Sequence, residues 1–462
     1  MKTSSVVGRW SLAKARTASA LVVVLAALPL LAQKQKPSPG TVATSPAPIA
    51  IRGGKLLTIT HGIVENGVVV IENGKITAVG PVNGTNVPRN AQVIDATGMT
   101  VYPGLFDAES HLGLTEISAE PMTNDLVEMS DEIMPHMHVY DAFHAESELI
   151  PVTRMNGVTN AVIAPQDGDS MPGQDSIAQM AGGNRDEMLI ARDVALPINF
   201  IGEVRRGQRG GAGSAQQTRF PETRMGVAAQ LRQSFLDAQN YAQKLAREER
   251  RRQTGDTAPA AGEPFKHDLK LEALLPYLDG KKPVVLAARQ SDEVLTAVSL
   301  AREFNLKIIL NHVDKAQRLL DQIAAFKVPV IVGPIYTFPA DDQRYDAVYS
   351  LPAQLAKRGV KIAFASYDDD HNARNLPYQA GYAVAYGLPY DEALKAITIN
   401  PAEMFGVADR LGSLDVGKDA NVVIADGDPL DVKTDVKRVF IAGREVPLKS
   451  RQTELRDRYM ER

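Results

Sequence analysis

Short apolar runs separated by turn residues mark the first stretch, from residue 49 to residue 100. Val68-Val-Val-Ile71 leads into Glu72-Asn-Gly74 and then into Lys75-Ile-Thr-Ala-Val79. An Asn-Gly pair between two apolar runs predicts a β-hairpin, because both positions must take positive φ. Near the other end, Gly417 to Asp426 and Val436 to Val446 have the same style. Strand-rich ends around a different middle predict a small β-sandwich built from both ends of the chain.

The middle alternates apolar runs with helical periodicity. Strands are predicted at Gly157–Ala164, Pro283–Ala287, Lys307–Asn311, Val328–Val332 and Val360–Ala365. Between the second and third of these, Ser291 to Phe304 carries apolar residues at helical spacing, with Ser291 as the expected N-cap. Such alternation over some 300 residues predicts a parallel barrel with active groups at the C-terminal ends of its strands. The fold class expected is therefore α/β: a TIM-like (β/α)8 barrel with a small β-sandwich domain. Residues 49–100 and 409–450 would form the sandwich, 101–408 the barrel, and 451–462 a tail.

Two segments break the pattern. Residues 205–214 are rich in Arg and Gly and read as a mobile loop. Residues 245–264 begin as a charged helix (Arg247-Glu-Glu-Arg-Arg-Arg252) and end rich in Thr, Ala, Pro and Gly, which reads as an exposed insertion. At the start, Lys2, Arg9, Lys14 and Arg16 precede an apolar run from Ala18 to Ala32 that Pro29 interrupts. That run is shorter than the roughly 20 residues a spanning helix needs, so residues 1–32 are expected to be a cleaved signal peptide and no stable membrane span is expected. Residues 33–48, rich in Pro, Ser, Thr and Lys, are expected to be a flexible linker.

Composition narrows the function more than the fold. A hydrophobic fraction of 44% with 23% charged residues is that of an ordinary globular protein. The net charge of −4, spread along the chain, argues against a nucleic-acid partner. There is no cysteine, which excludes disulfides, thiolate metal sites and a lipid-anchored N-terminal cysteine. Export without disulfides points to a periplasmic or secreted protein. Homo-oligomerisation is left open.

The chemistry-bearing stretch is Tyr102-Pro-Gly-Leu-Phe-Asp-Ala-Glu-Ser-His-Leu-Gly113. With the block Ala393–Ala402 and Gly406–Ile424, it resembles the amidohydrolase superfamily. It is similar above all to the exported imidazolonepropionase-like branch, over residues 49 to 447. The resemblance implies metal ligands from strands one, five, six and eight. His111 matches the second strand-one histidine and Glu109 replaces the first. On strand five Ala287 stands where the resemblance places a histidine, while on strand six His312 matches. On strand eight Tyr367 takes the aspartate's place, with Asp368 one residue later.

A two-metal site needs about five protein ligands, which this chain does not offer. Glu109, His111 and His312 could hold one divalent ion, with zinc expected before manganese or iron, or the site could hold none. In the catalytic reading, Asp368 shuttles the proton and His312 assists at the oxyanion. Each residue also has a duller reading. Glu109 could pair with Arg289, and Asp368 could belong to a solvated acidic loop. His136, His138 and His144 read as helix-surface residues more readily than as a substitute metal site. Arg374 could clamp a substrate carboxylate or simply cap the barrel. Gly168 and Gly173 mark a turn after the second strand that walls the pocket.

Two functions remain. One is an exported hydrolase of carbon–nitrogen bonds other than ordinary peptide bonds, in cyclic or side-chain amides of a small-molecule substrate. The other is a non-catalytic barrel that binds a small molecule or protein partner. Metal-free hydrolysis by carboxylates and His111 is a third route.

Overall fold

The Asn73-Gly74 pair turns the chain as its residue types require. Asn73 and Gly74 have φ of 49° and 79°, and Glu72 pairs with Lys75 across them. The hairpin belongs to the first five strands: β1 (Ile49–Leu57), β2 (Ile63–Glu72), β3 (Lys75–Pro81), β4 (Gln92–Asp95) and β5 (Thr100–Pro103). The computed structural model describes residues 47–462 apart from 118, 129, 201–219, 222, 255–264, 368–369 and 462. The expected signal peptide, most of the linker and the Arg/Gly-rich loop lie outside the described residues.

Eight further strands form the second sheet. They are β6 (Leu105–Ser110), β7 (Val158–Ile163), β8 (Asp175–Gln179), β9 (Leu189–Asn199), β10 (Val284–Ala287), β11 (Ile308–Asn311), β12 (Val330–Val332) and β13 (Ile362–Phe364). A parallel bridge from Ser110 to Tyr367 joins its two edges, and the Tyr367 amide donates to the Glu109 carbonyl at 3.0 Å. The sheet thus closes toward a barrel. One buried apolar cluster takes Phe106, Val162, Ile177, Ala195, Val285, Ile309, Ile331 and Ala363, one from each strand. Met404, Phe405 and Leu411 pack against the same cluster. Side chains of alternate residues fill the interior, as a small barrel requires.

The barrel is not wholly parallel. β8 runs antiparallel to both β7 and β9. No helix separates β7 from β8; the connection is the Pro- and Gly-bearing stretch from residue 164 to residue 174. A parallel return needs a crossover of about a dozen residues or more, usually helical, whereas a loop of this kind lets the chain double back. Consequently the first residue of β8, Asp175, lies at the same end as the last residues of its neighbours.

The last three strands return to the first sheet: β14 (Val422–Ala425), β15 (Val436–Ile441) and β16 (Arg444–Val446). β14 pairs with β5, so both ends of the chain build one mixed sheet in the order β16-β15-β14-β5-β1-β2-β3, with β4 beside β1. Its buried side chains, among them Ile51, Leu56, Val69, Val101, Val422 and Phe440, form a core of their own.

Helix boundaries refine three expectations. The helix Ser291–Glu303 is capped by Gln290 rather than Ser291, and the Glu293 side chain accepts from the Gln290 amide at 3.0 Å in a capping box. Gln290 is extended, as a cap must be, and Ser291 is already helical. The charged run at 247–252 ends the 30-residue helix Arg224–Gln253, whose Leu231, Phe235 and Tyr241 are buried. The expected tail is a helix, Arg451–Met460, capped by Ser450 and burying no side chain. Among the described residues no helix is long and apolar enough to cross a membrane.

Candidate active site

At the end of β6, the register with β7 shifts between Asp107 and Ser110. Such a bulge re-aims side chains, and here Glu109 reaches across to β11. Asn311 Nδ2 donates to Glu109 Oε2 at 2.7 Å. Asn311 Oδ1 accepts from the His312 amide at 2.8 Å and from the Tyr367 hydroxyl. Glu109, Asn311 and Tyr367 are all buried. The strand ends of β6 and β11 and the residue after β13 are therefore tied by one side-chain network.

His111 is anchored to the end of β7 and to Asp370. Its ring Nδ1 lies 2.7 Å from the Ala164 carbonyl, to which it must donate, and its amide donates to Asp370 Oδ1 at 2.9 Å. Ser110 Oγ donates to the same oxygen at 3.2 Å and accepts from Ser366 Oγ at 3.0 Å. Asp370 thus binds the strand-one turn through hydrogen bonds.

His312 sits just beyond β11 with φ of 57°. That left-handed conformation is unusual for a residue with a side chain, and here it swings the imidazole toward the loop after β7. His312 Nε2 lies 2.8 Å from Asp167 Oδ2, and the ring stacks on Tyr367 at 4.3 Å between centroids. Burial and the carboxylates of Glu109 and Asp167 push the Tyr367 hydroxyl well above its ordinary value. It stays a hydrogen-bond donor.

Two carboxyl groups nearby carry an unusual load. Asp107 is fully buried, accepts from the Ser366 amide at 3.0 Å, and has its pKa pushed up to about 7, chiefly by burial. Asp175 is fully buried, and neither oxygen has a hydrogen-bond partner among the described residues. Burial and the Asp167 carboxylate push it well above the usual range.

The expected one-metal site does not assemble from the described residues. Among them, no group of three or more His, Asp or Glu side chains is placed to hold an ion. Glu109 Oε2 accepts from Asn311, His312 Nε2 is turned to Asp167, and His111 Nδ1 donates to the Ala164 carbonyl, so the three side chains have different partners. On strand five the site has only a methyl group: Ala287 pairs in register with Asn199 and Asn311. Asp368 lies outside the described residues. The donors among the described residues do not by themselves assemble a site for a divalent ion.

Other expectations are corrected in the same way. Arg289 turns to Asp314 at 3.2 Å instead of Glu109. Arg374 donates to the His371 carbonyl at 2.8 Å and to Asn372 on its own turn, and its backbone carbonyl accepts from Asn156 at 2.6 Å. His136 and His138 lie in the loop before a one-turn helix, and His138 pairs with Asp193 at 2.6 Å. Asp167 and Asp175 were visible only as the ends of the Gly-bearing turn, with no spacing that marked them as site residues.

The family can now be placed. A family model described as the amidohydrolase family matches residues 347–446. A solved structure of an amidohydrolase from Thermotoga maritima MSB8 is 31% identical. It has a TM-score of 0.76, and the match covers 86% of this chain and 99% of that one. The chain belongs to the amidohydrolase family. The amidohydrolase tasK of Hapsidospora irregularis is 27% identical over 395 residues, covering 82% of this chain but only 39% of tasK. The chain therefore spans well under half the length of that relative. Imidazolonepropionase of Geobacillus kaustophilus (strain HTA426) is 54% identical over 57 residues, 11% of this chain and 13% of that enzyme. Within this amidohydrolase, the matched residues 347–446 include Tyr367 and Asp370 but neither Glu109 nor His312.

Proposed function

We propose that this amidohydrolase cleaves a carbon–nitrogen bond other than an ordinary peptide bond, in a cyclic or side-chain amide, at the mouth of the barrel. Relatives named amidohydrolase and imidazolonepropionase support the reaction class. The observation that carries the reading is the His312–Asp167 pair, a ring held by a carboxylate at a strand end. With Nε2 turned to Asp167, His312 offers Nδ1 as the base. It takes a proton from water as the oxygen adds to the amide carbonyl. It returns that proton to the nitrogen as the carbon–nitrogen bond breaks, so amide and water become acid and amine. Asp167 orients the ring. No step here runs through a metal ion. We also place the protein outside the cytoplasm, on the strength of the N-terminal basic and apolar segments.

General acid–base groups contribute roughly a hundredfold to ten-thousandfold. On a panel of cyclic ureides, imides and N-acyl amino acids, His312→Ala should cut turnover of any accepted substrate about a hundredfold or more. Glu109→Gln, which keeps an acceptor for Asn311, should cost far less. Equal rates for wild type and His312→Ala would remove the mechanism.

A second reading has its own support. The Glu109–Asn311–Tyr367 network fills the metal position with hydrogen bonds, which favours a barrel that binds a small molecule without turning it over. Saturable ligand binding with no product from any panel member would establish it.

A further inference from the structure

We propose that the barrel face opposite the mouth binds a free, single-chain amphiphile with an anionic head group, such as a medium-chain carboxylate. A cavity of about 810 Å³ lies there, lined by Lys307, Pro329 and Lys361, which directly precede β11, β12 and β13. In parallel strands these entry ends lie away from the exit ends that carry Asn311 and its network. The volume falls in the usual range for small-molecule sites, roughly 300–1,000 Å³.

The lining decides the ligand class. Apolar side chains such as Val298, Leu306, Phe326 and Met404 supply the floor. The rim carries Arg302, Lys307, Lys327, Arg358 and Lys361, against Glu403 as the one acid of the lining. Lys361 is taken by Glu403, and Arg358 by Asp321 at 2.7 Å. Arg302 lies 4.8 Å over the Phe326 ring. Arg302, Lys307 and Lys327 have no acidic partner among the described residues. No Ser, Thr, Asn, Gln, Tyr or His lines the cavity. A sugar, nucleobase or peptide would find donors in these cations but, apart from Glu403, no side-chain acceptor for its own N–H and O–H groups, which is costly when they are buried. A ligand recognised only by charge and apolar contact escapes that cost, with its head at the free cations and its chain along Phe326 and Met404.

The test is calorimetric titration of the full chain with monomeric decanoate. One saturable site is expected. Lys307→Glu with Lys327→Glu should weaken binding at least tenfold while leaving the thermal midpoint unchanged, because both side chains are exposed. Uncharged 1-decanol should bind at least tenfold more weakly than decanoate. The proposal is overturned by any of three results: no saturable binding of the monomer, equal affinity in the charge-reversed variant, or binding only to phosphatidylglycerol vesicles. None of these touches the hydrolase reading, since the measurement is binding at the other face.

Discussion

Asp175 is held where its charge is least welcome. It stands two residues before Ile177, which fills the barrel interior, and the antiparallel course of β8 brings it to the mouth beside Asp167. Burial and a neighbouring carboxylate both favour the protonated form, so its folded-state pKa lies above the unfolded value of about 3.9. In that window the folded state binds more protons than the unfolded one. Stability is therefore full below about pH 3.9 and falls as pH rises toward the folded-state pKa. Asp175→Asn removes the charge and keeps the shape. Its thermal midpoint should exceed that of the wild type by a few degrees at pH 8, and the gap should close toward pH 4. A gap that is constant with pH, or a variant less stable at pH 8, would mean that Asp175 has a partner in solution.

The junction of the two sheets explains why the Pro103-Gly104 pair was so readable. Pro103 ends β5 in the mixed sheet, and β6 starts at Leu105 in the barrel. Gly104 donates its amide to the Asn421 carbonyl at 2.8 Å and lies hard against β7. A Cβ at Gly104 would sit 2.7 Å from Thr159 Cβ, which is buried and has no room to retreat. Overpacking of this kind typically costs about 1–3 kcal/mol. Gly104→Ala should destabilise by about that much in urea unfolding, and Thr159→Gly, which removes the Cβ as well as the atoms beyond it, should recover much of the loss in the double variant. Simple additivity of the two losses would remove the steric explanation. The hairpin at Asn73-Gly74 and the strands at Val284, Ile308 and Ile362 were legible because periodicity and turn chemistry are local. β9 was not, since Asp193 with φ of 51° and Pro197 interrupt its alternation. Nor was the reversal of β8, which is decided by what its loop lacks. The histidines and acids of the site could be placed on strand ends. Their hydrogen-bond partners could not, because Asn311 and Asp167 become neighbours of Glu109 and His312 only once the barrel closes.

On the scale of the whole molecule, closure does the work that a bridging ion would do. An ion at the mouth would tie the ends of strands far apart in sequence, and here Asn311 ties Glu109 to Tyr367 across 202 and 56 residues. Among the described residues no group of three His, Asp or Glu side chains forms around Glu109 to hold such an ion. A ligand that binds only the folded state stabilises it by about 2.7 kcal/mol at a hundred times its dissociation constant. For a large domain that is a shift of several degrees. Adding zinc or manganese to metal-stripped protein should therefore leave the thermal midpoint within a degree of its starting value, and elemental analysis should find less than one tightly held ion per chain. Asn311→Ala frees Glu109 from its amide partner and provides the control: if only that variant gains stability with zinc, the hydrogen-bond network is what displaces the metal. A several-degree rise in the wild-type chain, abolished by Glu109→Ala, would show that Glu109 leaves Asn311 to ligate the ion, and the carboxylate–amide contact would then be a resting arrangement of a working metal site.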